Sequence, residues 1–377
     1  MSSPESIVVV GESLAGTTAA RELRARGFTG RITLIGNDAD GAYARPPLSK
    51  EALRPGAGDT STISVDGLDV EVDRSGAVGL DTTARLVRTA ARAEVSYDRL
   101  IIATGASARR LAQRGQSGEL VLRTRGDASH LADRLDTASR VIVVGAGFLG
   151  MEVASACAAR GLEVVVVDVE PPLTRVLGPF LADRLAGLAA SSGVRFITAS
   201  GPVGLVGDPV RGVCWNGQDV LRADLVVTCA GDIPCTDWLA GTGLADGTGV
   251  GIDDRCATTV PDVFAAGDVS YLRSLGRRTP YWSNAIAQGK LAAASALGQA
   301  GDCATDDYFW TEVCGVPIKV MGPLGLEAAP DSVDGSLEGY DALLTWERSA
   351  GRTVVAFGRK LPVGRLRTMA QGESVSG

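Results

Sequence analysis

Two stretches of this chain follow the same course: an apolar strand, a glycine-punctuated turn, a helix, and a second apolar strand ending beside an acid. The first runs "SIVVVG" (6–11), "GESLAG" (11–16), "TTAARELRARG" and "RITLIG" (31–36), with Asp38 just beyond. The second runs "RVIVVGAGFLG" (140–150), "MEVASACAARG" and "LEVVVVD", which ends at Asp168. Each is the βαβ dinucleotide fingerprint, whose glycines permit a tight turn and let a pyrophosphate approach the helix N-terminus. The first copy reads Gly11, Ser13, Gly16, with serine for the middle glycine; the second has Gly145, Gly147 and Gly150. One such motif arises often by chance in glycine-rich chains. Two in full strand–turn–helix–strand context predict an α/β protein with two Rossmann-like domains and two bound dinucleotides. Asp38 and Asp168 stand where a carboxylate accepts ribose hydroxyls, and an acid at 168 repels the 2′-phosphate that distinguishes NADP from NAD. Arg175 lies close enough in sequence to offset part of that repulsion.

At 377 residues the chain exceeds one compact core, so two or three domains are expected. A net charge of −7 argues against general nucleic-acid binding. The seven cysteines (157, 214, 229, 235, 256, 303, 314) form no CxxC pair and no zinc spacing, so no metal site is expected. Cys229 and Cys235 flank a strand end, and the odd count points to reduced thiols in a cytoplasm. No signal peptide is visible, because polar "MSSPES" leads straight into a strand. "VIVVGAGFLGMEVASACAA" carries three glycines and Glu152, and so reads as strand, turn and helix rather than a membrane span.

Other stretches add chemistry. "YARPPLSK" (43–50) puts two rigid prolines before Lys50, one of only four lysines among 37 basic residues. "YDRLIIATGA" is a buried strand closing on Thr104 and Gly105, and "VPDVFAAGDV" a strand ending at Gly267 and Asp268, with a helix following over roughly 283–297. Asp268 is placed to hold ligand hydroxyls at the strand's carboxyl end, or else simply terminates a turn. Glu152 reads as a residue in the first turn of its helix, placed either to meet a nicotinamide or merely to suit the helix dipole. The single histidine, His130, sits in the polar helix "DASHLADRLD" and reads as a surface residue. No nucleophile motif is present; hydride chemistry carried by cofactors needs none.

The order GxSxxG, RPPLSK, ATG, GxGxxG with a following glutamate, "GDIPCTDWL" and AAGD resembles the oxygenase-coupled NADH–ferredoxin reductases, the putidaredoxin reductase-like branch of the FAD/NAD pyridine nucleotide-disulfide oxidoreductases. The likeness runs from about residue 6 to about 322. It implies an FAD domain over 1–106 and 232–300, an inserted NAD domain over 107–231, and a small α+β C-terminal domain over 301–377. It implies that FAD meets Gly11, Ser13, Leu14, Ala15, Gly16, Asp38, Arg45, Lys50, Thr104, Gly105, Gly267, Asp268 and Trp282. NAD, preferred as NADH, would meet Gly145, Gly147, Phe148, Leu149, Gly150 and Asp168. Lys50 and Glu152 carry over as a catalytic pair near the flavin N5 and the nicotinamide. Disulfide-reducing relatives carry a redox cysteine in segments where this chain has none. A [2Fe–2S] ferredoxin is the implied partner, to a cytoplasmic monomer or homodimer that binds neither nucleic acid nor membrane.

The chain departs from the family pattern at several points. Residues 51–72 form a shortened segment, Ala44 replaces a common aspartate, Cys235 a usual asparagine, and Ala287 a common acid. In "YFWTEVCGVPIKV" (308–320), Trp310, Thr311 and Glu312 are kept, while Cys314 replaces an aromatic. Arg348, Arg352, Arg359, Lys360, Arg365 and Arg367 face one acid, Glu347, within 342–370; the patch either steers an acidic partner or is a solvated face. Two other readings stay open: a flavoenzyme acting directly on a small organic substrate, and an NADH-responsive interaction protein.

Overall fold

The computed structural model describes residues 4–54, 56, 62–217, 219–299, 306–324, 326–349 and 351–372. Cys303, the start of the C-terminal segment at 301–305, and residues 55 and 57–61 of the shortened segment lie outside them. Its contacts divide the chain into two units: Met1–Ala44 with Ser61–Ser107 and Ile233–Asp306, and Arg45–Thr60 with Ala108–Asp232 and Asp307–Gly377. The "RPPLSK" segment and the C-terminal residues therefore group with the second fingerprint.

In the first unit, five parallel strands lie in the order Val263–Ala265, Arg99–Ile102, Ser6–Val10, Arg31–Ile35, Glu71–Asp73. Counted along the chain this is 5-4-1-2-3, the open Rossmann winding whose order reverses beside the first strand. The central strands are apolar on both faces, as Ile7, Val9, Leu34, Leu100, Ile101 and Ile102 are fully buried. Helices Leu14–Ala25 and Trp282–Ala296 cover the sheet, and small residues let them close: a side chain at Gly289 would strike the Ala15 carbonyl at 2.6 Å. The expected helix over 283–297 is this second one.

The second unit repeats the winding around its fingerprint strands, except that its last edge strand, Glu119–Val121, precedes the fingerprint in the chain. Its parallel order is Val194–Thr198, Glu163–Asp168, Arg140–Val144, Leu225–Thr228, Glu119–Val121. An antiparallel meander, Gly204–Gly207, Val210–Trp215 and Asp219–Arg222, adjoins it. The C-terminal residues build a five-stranded antiparallel sheet from Phe309–Val313, Val316–Met321, Gly351–Phe357, Asp341–Arg348 and Ser332–Ser336, on which helix Val363–Ala370 seats Leu366. Among the described residues no helix is long and apolar enough to cross a membrane. His130 is exposed on helix Arg125–Leu135.

The duplication extends to a clasp that neither fingerprint contains. The Asp98 carboxylate accepts the amides of Glu5 and Ser6, each at 2.8 Å, just where the first strand begins. In the second unit Asp224 accepts the amides of Ser139 and Arg140, each at 2.9 Å, at the start of the equivalent strand. Those bonds hold both carboxyls below the ordinary carboxylate range, the Glu5 amide dominating for Asp98 and the Ser139 amide for Asp224. A folded-state pKa below the unfolded one gives stability that is present above the unfolded value and lost as pH falls through the folded one. The urea midpoint of the native chain should thus drop below about pH 4. Asp98→Asn or Asp224→Asn should each cost about 1 to 2 kcal/mol at pH 7 and flatten that acid limb; an unchanged acid limb in both variants would remove the clasp from the account.

Candidate functional site

Each fingerprint turn is forced by contact with a neighbouring strand. Gly11 has φ of +122°, and a Cβ there would lie 2.0 Å from the Ala103 carbonyl oxygen. Gly145, at +108°, would meet the Cys229 carbonyl oxygen at 2.3 Å. No L side chain fits either place, so both strands turn sharply into their helices. Gly16 and Gly150 then let helix and turn close, each with a would-be Cβ 1.9 Å from the carbonyl of the first glycine.

These turns fit pyrophosphate. Helices Leu14–Ala25 and Phe148–Ala159 both begin with no acid in the first turn and no side chain capping their first amides. A Cβ at Gly147 would meet nothing within 4 Å, so the approach to that helix end is open. Free N–H groups and the positive helix end are what an anion needs there. The strand-end acids also fit ribose. Asp38 accepts the Tyr43 hydroxyl at 2.8 Å and the Asp40 amide at 3.1 Å. Asp168 accepts the Ala146 and Val169 amides, both at 2.6 Å. A carboxylate has about four acceptor positions, so both acids are oriented without being saturated. Arg175 is drawn to Glu170 at 3.0 Å in an exposed pair.

Other expected FAD contacts are fixed by their own partners. Thr104 donates its hydroxyl to the Cys235 carbonyl at 2.7 Å. Gly267 and Asp268 lie on a short 3-10 turn, Gly267–Val269. The buried Gln288 pins that turn by accepting the Gly267 amide at 2.8 Å and the Ser270 hydroxyl at 3.1 Å. Nothing in the sequence reading marked Gln288, which lies four residues past Asn284 in an alanine-rich helix. Trp282, at the start of that helix, is exposed.

Lys50 and Glu152 meet. The double proline does not extend the chain but starts a 3-10 helix, Pro46–Ser49, which Lys50 terminates. The Arg160 guanidinium binds the Leu53 carbonyl at 2.8 Å, and Arg45 donates to the Arg123 carbonyl at 3.3 Å, so the segment is tied down at both ends. Lys50 Nζ stands 2.8 Å from Glu152 Oε2, with the two side chains 13% and 9% exposed. A solvated lysine is thereby excluded. The helix starts at Phe148, which puts Glu152 in its second turn, not its first; the dipole therefore does not explain it. Two neutral donors complete the cluster. The Ser49 hydroxyl donates to Oε2, and Thr311, from the first C-terminal strand, donates to Oε1 at 2.7 Å. Three of the carboxylate's four acceptor positions are taken, and one on Oε1 stays open.

The described cysteines play no part in this cluster. The six described are free thiols, and burial pushes that of Cys157 up to about 12, which keeps it protonated and inert. Three of the six basic residues of the C-terminal patch meet acids: Arg352 pairs with Glu347 at 2.6 Å, Arg359 with Asp334 and Asp341 at 2.7 Å each, and Arg348 with Asp331 at 3.8 Å. Three of those acids lie outside 342–370 and come alongside only when the strands pair.

Residues 5–289 match the family model described as pyridine nucleotide-disulphide oxidoreductase. The biphenyl dioxygenase system ferredoxin–NAD(+) reductase component of Paraburkholderia xenovorans (strain LB400) is 34% identical over 332 residues, covering 84% of this chain and 81% of its own length. The crystal structure of the ferredoxin reductase for the CYP199A2 system from Rhodopseudomonas palustris superposes with a TM-score of 0.87 at 27% identity, over 98% of this chain and 96% of that one. The reductase of a covalent putidaredoxin reductase–putidaredoxin complex gives 0.83 at 25% identity, over 94% and 90%. Two Rossmann windings, two glycine turns and these matches have one reading: the chain belongs to the pyridine nucleotide-disulphide oxidoreductase family, a family of FAD- and NAD(P)-binding oxidoreductases.

Proposed function

We propose that this enzyme oxidises NADH and passes the electrons through FAD to a [2Fe–2S] ferredoxin serving a monooxygenase or dioxygenase. The observation that carries the reading is the buried Lys50–Glu152 pair braced by Ser49 and Thr311. Relatives that are ferredoxin reductases of oxygenase systems support the choice of acceptor. FAD supplies, when bound, the conversion of a two-electron hydride into single electrons. It would be held by Gly11, Ser13, Leu14, Ala15, Gly16, Asp38, Thr104, Gly105, Gly267, Asp268 and Trp282, with Arg45 and Lys50 contributing from the proline segment. NADH would take the second fingerprint and Asp168. We divide the chain into an FAD domain (1–106, 232–300), an NAD domain (107–231) and a C-terminal domain (301–377). A cytoplasmic site of action suits the six described cysteines, all free thiols.

Lys50 presents a fixed ammonium to the negative charge that reduction creates, at no cost of reorganisation during the reaction. Glu152 keeps that ammonium in place and offers its open Oε1 position to the carboxamide of the nicotinamide. Ser49 and Thr311 are positioning residues for the carboxylate.

The direct test follows cytochrome c reduction by the holoenzyme with NADH and a series of small [2Fe–2S] ferredoxins. Ferredoxin-dependent turnover is expected; fast flavin reduction without it would favour direct action on an organic substrate. Lys50→Ala should retain FAD and slow flavin reduction about 100-fold in stopped flow, whereas a normal rate would make the lysine a structural residue. Glu152→Ala strands a buried ammonium and should cost about 3 kcal/mol in urea unfolding, while Lys50→Met with Glu152→Leu should recover most of that. For the coenzyme, kcat/KM should favour NADH over NADPH by about tenfold or more, and Asp168→Ala should narrow the ratio; an equal or inverted native ratio would refute the role given to Asp168.

A further inference from the structure

The second residue of the first fingerprint is Glu12, where the second fingerprint has Ala146. An acid inside a phosphate-binding turn is adverse unless its charge is compensated, and here it is. Glu12 is buried, its side chain 2% exposed, and it grips Arg74 with both oxygens: Arg74 Nε lies 2.9 Å from Oε2, and NH2 lies 2.6 Å from Oε1. This fork-to-fork geometry fixes the guanidinium plane as well as its position.

The plane stands at a specific place. Arg74 follows strand Glu71–Asp73, which pairs in parallel with Arg31–Ile35, the strand leading to Asp38. A Cβ at Gly36 would press on Glu12 Oε2 at 2.7 Å, and one at Gly41 would come within 3.3 Å of Arg74 NH2. The ion pair therefore passes beneath the loop that carries Asp38 and Tyr43, at the carboxyl edge of the sheet. Unlike Glu12, the Arg74 side chain is half exposed, at 50%. Glu12 engages two of its five N–H groups and neither face of its plane. A fixed, flat, weakly hydrated cation beside a ribose-binding acid is suited to stack on a purine.

We propose that Arg74, oriented by Glu12, is the stacking platform for the adenine ring of FAD. The proposal rests on the reading of the first fingerprint as the FAD site and adds to it the residue that recognises the base. Glu12 touches no ligand; it is the positioning residue.

The test titrates flavin-stripped protein with FAD and with flavin cytosine dinucleotide, which keeps the flavin, both phosphates and both sugars but carries a smaller base. Native apoprotein should prefer FAD. Arg74→Met should weaken FAD about tenfold or more and largely abolish the preference over the cytosine analogue. Arg74→Lys retains a charge for Glu12 but no plane; it should fold normally by circular dichroism and still lose the preference, which keeps the test decisive if Arg74→Met is unstable. Glu12→Gln should lose part of it. FAD binding by Arg74→Lys with native affinity, or equal loss of both dinucleotides, would overturn the stacking role. Failure of native apoprotein to take up FAD would instead overturn the assignment of the first fingerprint, and the platform with it.

Discussion

The arrangement of the second unit turns on one buried carboxylate. Glu152 draws Lys50 and Ser49 from the proline segment and Thr311 from the C-terminal sheet onto its own helix, joining three stretches more than a hundred residues apart in sequence. A lysine ammonium out of water must find an anion, and a buried carboxylate must find donors for its remaining lone pairs. Each of the four residues answers a need of another. The proline turn limits where Lys50 can be, and Arg160 stops the following residues from drifting by holding the Leu53 carbonyl.

The two fingerprints show how one backbone device is tuned by its side chains. Both turns are dictated by a glycine against a neighbouring carbonyl, and both first strands are clasped by an aspartate at their base. They differ at the second turn position. Where that residue is Ala146, the strand-end acid Asp168 reaches back and binds its amide. Where it is Glu12, the strand-end acid Asp38 is held by Tyr43 instead, and the turn residue brings its own carboxylate to Arg74. Homologous positions thus reach different electrostatic solutions without moving the turn.

Both windings, the helix after Asp268 and the pairing of Lys50 with Glu152 were legible in the sequence, because they rest on local periodicity, on glycines with steric reasons, and on a resemblance spanning most of the chain. What escaped was set by contacts between residues distant in sequence. Ser49 and Thr311 are ordinary hydroxyl residues until the fold points them at Glu152. Gln288 gains its role only because its amide reaches the Gly267 turn. Glu12 passes for an ordinary turn residue in the sequence, because its partner lies 62 residues away. Glu152 was expected one turn too early for a simple reason: the last fingerprint glycine, Gly150, already lies inside the helix, which begins at Phe148 and not at Met151. A charge count over a window likewise omits acids delivered by strand pairing, as Asp334 and Asp341 are to Arg359.

A buried ion pair is a poor device for stability alone, because desolvation offsets most of the attraction and apolar residues of similar volume do as well or better. The Lys50–Glu152 pair would be difficult to explain as packing. Under the proposed function it is a charge kept where water cannot screen it, since an ammonium in low dielectric acts more strongly on a nearby developing charge than one in solvent. The hydroxyls of Ser49 and Thr311 then have a definite physical part: they offset the desolvation of the carboxylate without neutralising it, as a second cation would. That leaves Lys50 the cationic member of the cluster and Glu152 with one acceptor position still to offer.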